Sequence, residues 1–292
     1  MAKYKYLNSF NLFLALFIIL WGAWVRLSGS GAGCGDHWPL CNGEVIPLAP
    51  SVKTLIEYVH RLTSGIFGLT ILASLIIARK IFPKRHHARS FAWASLFFTL
   101  TEALIGAVLV KKGLVVDNDS AMRAWVIGFH LMNTFILLAA LVGQLLVDDD
   151  FKYRLRESKE NLFWILGFVI FLFVGATGAI SALGNTLFPE TSLIAGVMKD
   201  FDAGSHFLIR LRIFHPILAI GLFAIIQLLS GKEKTKFSAA LSHTSWVAVL
   251  FGALNWFLLA PKWGALTHLL IADVLWCLFV SVFLQRYFIK PN

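Results

Sequence analysis

The sequence predicts an all-α polytopic membrane protein whose eight transmembrane helices form two pseudo-symmetric four-helix bundles. Three observations carry this. Hydrophobic residues make up 58% of the 292 and charged residues 14%, where a soluble domain carries about a quarter charged. The mean hydropathy is +0.74. The apolar residues fall in blocks of roughly 20, enough helix to cross a ~30 Å hydrocarbon layer.

In chain order the predicted spans are roughly 8–27, 54–78, 90–110, 123–147, 160–183, 207–229, 244–260 and 264–285. Asn11–Trp24 runs into VRLSGSG with no small-residue cleavage site, so the first block is expected to remain as a span. The connections alternate in charge. Lys3 and Lys5, RKIFPKRHHAR, DDDFKYRLRESKE, GKEKTKFSAALSH and the tail with Arg286 and Lys290 hold sixteen of the 26 Lys and Arg. Basic loops stay inside, which puts both termini in the cytoplasm of a cell (plasma or inner) membrane and the loops 28–53, 111–122, 184–206 and 261–263 outside. The net charge of +10 is therefore read as an orientation signal. Nucleic acid is excluded as a partner, because no soluble segment is long enough to form a reader domain.

Two halves follow: 1–147, a charged cytoplasmic linker at 148–159, and 160–292. The fourth span begins FHLMNTFILLAALV and the eighth THLLIADVLWCLFV, while His60 on the second span answers His215 on the sixth. Such a repeat suits an axis along the membrane normal.

Four of the nine histidines, His60, His130, His215 and His268, fall one each on the even-numbered spans. Each lies one to two turns below the outer end, roughly 5–15 Å deep at ~1.5 Å per residue. A single interfacial histidine is ordinarily a satisfied polar group. Four at one depth, in matching places of two halves, point to function. Two imidazoles from facing helices can take both axial positions of a haem iron, so His60 pairs with His130 and His215 with His268. Zinc fits less well, since no thiolate or carboxylate cluster completes a four-ligand site in the second half.

Arg26, Arg61 and Arg123 in the first half, and Arg210 and Arg212 in the second, lie near the outer ends. They are candidates for haem propionates through two-pronged pairing; snorkelling to the interface is the other reading. Gly65, Gly68, Gly106, Gly175 and Gly178 are candidates for close approach of a helix or a flat macrocycle. Glu57 precedes His60 by three residues on one helix face. It is read either as a base or electrostatic stabiliser beside a haem edge, or as the ion-pair partner of Arg61 or Arg26. Glu102 is expected deeper, toward the inner half, with no role assigned. Cys34 and Cys41 enclose GDHWPL in the first outer loop. They read as a structural disulfide or as a redox pair, and Cys277 as a small apolar residue.

The segments GAWVRLSGSGAGCGDHWPLC, EYVHRLTSG, TEALIGAVLVKKGLV and HLMNTFILLAALV, followed by GATGAISALGNTLFP, RIFHPILAIG and THLLIADVLWCLFV, resemble the haem A synthase family over nearly the whole chain. The resemblance implies a membrane enzyme that oxidises the ring-D methyl of haem O to the formyl of haem A for cytochrome oxidase. It implies substrate haem between His60 and His130, haem b between His215 and His268, Glu57 as the essential acid and Cys34–Cys41 as the outer-loop pair. The second cysteine pair of some members is missing from LGNTLFPETSLIAGVMKDFDAGSH. The implied partners are haem O delivered by a haem O synthase, an electron-transfer partner of unspecified identity and membrane lipid, with self-association open. The competing reading is a di-haem cytochrome b that only carries electrons. A thiol oxidoreductase of the outer face and a transporter rank below it.

Overall fold

The computed structural model describes residues 2–147, 160–233 and 236–287. The expected linker 148–159 lies outside the described residues, as does Lys290. Among the described residues ten α-helices follow one another: α1 (Ala2–Leu27), α2 (Val52–Ile81), α3 (His87–Lys111), α4 (Ala121–Leu146), α5 (Glu160–Leu187), α6 (Leu193–Phe201), α7 (Phe207–Arg210), α8 (Phe214–Ser230), α9 (Lys236–Phe257) and α10 (Lys262–Tyr287). The same residues include no strand, only one bridge between Cys41 and Glu44.

Eight stretches are long and apolar enough to cross a membrane, with mean hydropathy from 1.4 to 2.3. One of them, Phe207–Ser230, comprises α7, a 3-10 turn at Leu211–Ile213, and α8. Large apolar side chains such as Phe13, Leu69, Leu162 and Leu250 are exposed on these crossings, as expected where the solvent is lipid.

Three local differences from the predicted spans have physical causes. The sixth span is interrupted because Pro216 has no N–H for the Arg212 carbonyl and its ring crowds that carbonyl; Pro is tolerated only in the first turn of the helix it opens. The seventh, expected at 244–260, starts at Lys236 and stops at Phe257. There Leu259 and Ala260 turn left-handed ahead of Pro261, and the Ala260 N–H closes onto the Asn255 carbonyl at 2.8 Å. The loop 184–206 contains α6, started by Ser192, whose hydroxyl accepts the Ala195 N–H at 3.2 Å.

The chain divides into two compact units, Met1–Leu145 and Leu146–Asn292. In the first, α1 packs on α2 and α2 on α3, and side chains tie in α4. Gln144 Oε1 accepts from Tyr4 Oη and Ser74 Oγ, both at 2.9 Å, and its Nε2 donates to Ser95 Oγ at 2.7 Å. Ser74 Oγ also reaches Asn8 Oδ1 at 2.6 Å. One amide thus links four helices. In the second unit α5, α8, α9 and α10 pack in a ring. Its interior is aromatic: Trp164, Phe168, Phe171, Trp276, Phe279 and Phe283 interlock with ring centres 4.8–6.4 Å apart.

Candidate functional site

In the first unit Ser51 caps α2, accepting the Thr54 N–H at 3.1 Å, and so fixes where Glu57, His60 and Arg61 emerge. The Glu57 carboxylate, 3% exposed, is held on both oxygens. Its Oε2 accepts the Cys34 N–H at 2.8 Å. Its Oε1 takes Arg61 Nε at 3.1 Å and Arg61 Nη2 in a short contact. Arg61 also donates to the carbonyls of Gly35, His37 and Leu40. Those carbonyls belong to the ring that the Cys34–Cys41 disulfide closes. That loop lies hard against α2: a Cβ on Gly33 would stand 2.4 Å from the Lys53 carbonyl oxygen.

The His60 ring packs against Gly22 of α1, where a Cβ would come within 2.9 Å of Cε1 and 3.2 Å of Nε2. His60 and His130 lie within electrostatic reach of each other. His130 Nδ1 is 3.0 Å from Glu102 Oε2, an ion-pair distance off the line of a directed ring N–H bond. Glu102 was expected to lie deeper. It stands instead level with His130, because α3 and α4 run in opposite directions and each residue is nine positions from the helix end at the same side.

The second unit repeats the motif with different surroundings. His215 Nδ1 lies 3.1 Å from the Val174 carbonyl. Gly178 opposite leaves its Cβ space to that ring, at 3.0 Å from Cε1. His268 packs on Gly252, with 2.9 Å between Cε1 and a would-be Cβ, and lies parallel to Phe251. The His215 and His268 ring centres are 6.1 Å apart and their planes nearly perpendicular, at 83°.

The expected residues are thus brought together as His60 with His130 and His215 with His268, while Glu57 meets Arg61 and the disulfide loop. Of the expected glycines, Gly178 touches a histidine; Gly65, Gly68 and Gly106 have no atom within 4 Å of a would-be Cβ. Sequence reasoning passed over Gly22 and Gly252. It also passed over the polar stripe His130, Asn133 and Thr134 on α4, whose i, i+3, i+4 spacing was a readable sign that a polar group faces it from α3.

The arginines differ in what already engages them. Arg123 Nη1 donates to the Val116 and Asn118 carbonyls at 2.7 and 2.6 Å. Arg26 is close enough to Arg123 to feel its charge. Arg212 is pinned by Asp200 at 2.9 Å, Asn185 at 3.0 Å and Glu190 at 3.2 Å; Arg210 is exposed. In this loop cluster Lys199 bonds Glu190 at 2.8 Å. That bond, helped by Arg212, holds the Glu190 carboxyl below its ordinary range. Burial pushes Asp200 up, against the pull of Arg212.

Fold and sites together define a class: a polytopic membrane protein with one histidine pair in each of two helical units. The chain belongs to the cytochrome oxidase assembly protein family (COX15-CtaA), whose profile matches residues 5–280. It is 43% identical over 273 residues to a protein of Thermus thermophilus named protoheme IX farnesyltransferase, an alignment covering 90% of this chain and 45% of that protein. It is 36% identical over 169 residues to the heme A synthase of Bacillus cereus (strain AH187), covering 56% of this chain and 52% of the other. The heme A synthase of Bacillus anthracis (strain CDC 684 / NRRL 3495) is 37% identical over the same length. The chain spans about half the length of the curated relatives it matches.

Proposed function

We propose that this chain is a haem A synthase, an oxidoreductase that turns the ring-D methyl of haem O into the formyl of haem A for cytochrome oxidase. The family match over residues 5–280 carries the reading, and the 6.1 Å between the His215 and His268 ring centres supports a haem site within it. Two iron–nitrogen bonds of about 2 Å, plus roughly 1 Å from each nitrogen to its ring centre, put the imidazoles of a bis-histidine haem about 6 Å apart. Pairing of His215 Nδ1 with the Val174 carbonyl leaves Nε2 for iron. These residues fit haem b, which we assign to the second unit as resident cofactor, ligated by His215 and His268. When bound, it supplies a one-electron acceptor. Haem O, the substrate, is assigned to His60 and His130 in the first unit.

With water as oxygen source, methyl to formyl releases four protons and four electrons, and an electron-accepting partner outside the chain must take all four electrons in each turnover. Glu57 is the residue assigned to this chemistry. Arg61 and the Cys34 N–H hold its carboxylate in one position, so it is a fixed negative charge that stabilises positive charge developing on the substrate and accepts its proton. Arg61 and Arg212 are already paired with acids. We therefore assign the propionates to Arg123 in the first unit, with Arg26 close enough to add its charge, and to Arg210 in the second. Two guanidiniums within electrostatic reach of each other favour an anion beside them.

The proposal places the chain in the plasma (inner) membrane with both termini cytoplasmic, on the charge of the loops. A haem O synthase is the proposed supplier of substrate. The name of the Thermus relative, protoheme IX farnesyltransferase, supports that pairing.

The test is haem extraction from purified wild type, Glu57→Gln, His60→Ala and His215→Ala. Glu57→Gln is preferred to alanine because an unpaired buried Arg61 would itself destabilise the loop. The expected result is haem b without haem A in Glu57→Gln and loss of haem b in His215→Ala. Normal haem A in Glu57→Gln would overturn the catalytic assignment. Haem b as the sole pigment in every variant and in wild type would identify an electron carrier instead.

A further inference from the structure

We propose that Glu102 is a positioning residue for the reaction: it orients His130 and, by setting a carboxylate at Nδ1, biases an iron bound on the other ring nitrogen toward the ferric state. The inference rests on the reading of His130 as a haem ligand.

The geometry argues against a passive role. Glu102 is fixed from α4 at three points. Asn133 Nδ2 donates to Oε2 at 2.7 Å, the Thr134 hydroxyl donates to Oε1 in a short contact, and His130 Nδ1 stands 3.0 Å from Oε2. Asn133 is itself steered, its Nδ2 also reaching the Phe98 carbonyl at 2.9 Å and its Oδ1 accepting from Thr101 Oγ1 at 2.7 Å. Asn133 and Thr134 would suffice to satisfy a partly buried carboxylate that only joined two helices. The additional approach to within 3.0 Å of the imidazole nitrogen requires another explanation.

The other three histidines supply the contrast. His215 Nδ1 faces a neutral carbonyl; the Nδ1 atoms of His60 and His268, like that of His130, make no directed hydrogen bond, but of these rings His130 is the one with a carboxylate at ion-pair distance. Three of the rings are backed by a glycine: His60 by Gly22, His215 by Gly178, His268 by Gly252. At His130 Gly106 is too far to serve, and Glu102 takes part in its place. So of the four histidines His130 has a carboxylate in contact, whose charge also reaches His60, and both lie in the unit assigned to the substrate. A carboxylate behind a ligating imidazole fixes the tautomer and raises ligand basicity, which stabilises the more positive iron. Where electrons must leave the substrate, that bias favours their departure.

The test is a spectroscopic redox titration of the purified haem-loaded protein as wild type, Glu102→Gln and Glu102→Asp, with haem content measured alongside and His130→Ala as control. In Glu102→Gln the first-unit haem is expected to be retained, with its ferric–ferrous equilibrium moved about tenfold toward ferrous, equal to 59 mV for a one-electron couple. The second-unit haem should be unmoved. Glu102→Asp keeps the charge, should recover part of the shift, and serves where Glu102→Gln assembles poorly. An unchanged first-unit potential in Glu102→Gln, or an aspartate variant shifted as far as the glutamine one, would overturn the proposal. Retention of first-unit haem in His130→Ala would overturn the ligand reading beneath it.

Discussion

On the proposed haem assignments, alanine at Gly22 should weaken haem binding in the first unit and leave the second intact. The new Cβ would stand 2.9 Å from His60 Cε1 and 3.2 Å from Nε2. Carbon atoms rest comfortably at about 3.5–4.0 Å, so the ring must retreat by about 0.6 Å. Ligand positions need to be held to about 0.5 Å, and a 1 Å misplacement can cost about a hundredfold. The 0.6 Å displacement should therefore lower haem affinity at His60 and His130 about tenfold. The assay is haem titration of haem-depleted protein in detergent, followed by absorbance and checked by extraction. Gly252→Ala crowds His268 equally, at 2.9 Å, and should produce the mirror-image defect in the second unit. Gly221→Ala is the control: nothing lies within 4 Å of its Cβ, and alanine is the better helix former by up to ~1 kcal/mol. A Gly22→Ala protein that binds both haems as tightly as wild type would refute the reasoning, because the ring would then be free to move without consequence.

Two further predictions follow from parts away from the histidines. Gln144→Leu removes three hydrogen bonds that join α4 to α1, α2 and α3; at about 0.6 kcal/mol each in a membrane interior the loss should be about 2 kcal/mol, read by SDS-titrated unfolding. In the loop holding α6, Glu190 sits below its ordinary value of 4.5 because of Lys199 and Arg212. Its contribution is thus complete above that value and lost as pH falls through the lower folded value. Proteolysis of segment 188–206 should accelerate on acidification below about pH 4.5, and Glu190→Gln should be protease-sensitive at pH 7 with a much smaller pH step.

The crossings were legible because membrane helices announce themselves by length and composition. The approach of the histidines within each unit was legible because alternate spans run the same way and so bring equivalent positions of that unit to one level. Pairing across helices was harder. Nothing local says that Glu102 meets His130, since the contact depends on how far α3 and α4 slide past each other. Gly22 was missed for the same reason: its importance lies in what stands opposite. The aliphatic run around Trp246 hid the start of α9, because polar residues such as Ser238 and His243 near its beginning diluted the hydropathy. Of α6, the exposed residues Ile194, Val197, Met198 and Phe201 form a stripe at helical spacing, but nine residues are too few to register as a span.

The two floors below the histidine pairs differ in kind, and the difference bears on turnover. Crosslinks centred on one amide can break and re-form with water as a temporary substitute. Interlocked indole and phenyl rings have no substitute and must stay shut. On the proposed roles, the unit that must admit a bulky, greasy pigment and let its product go in every cycle stands on the first foundation, and the unit that keeps its pigment for the life of the molecule stands on the second.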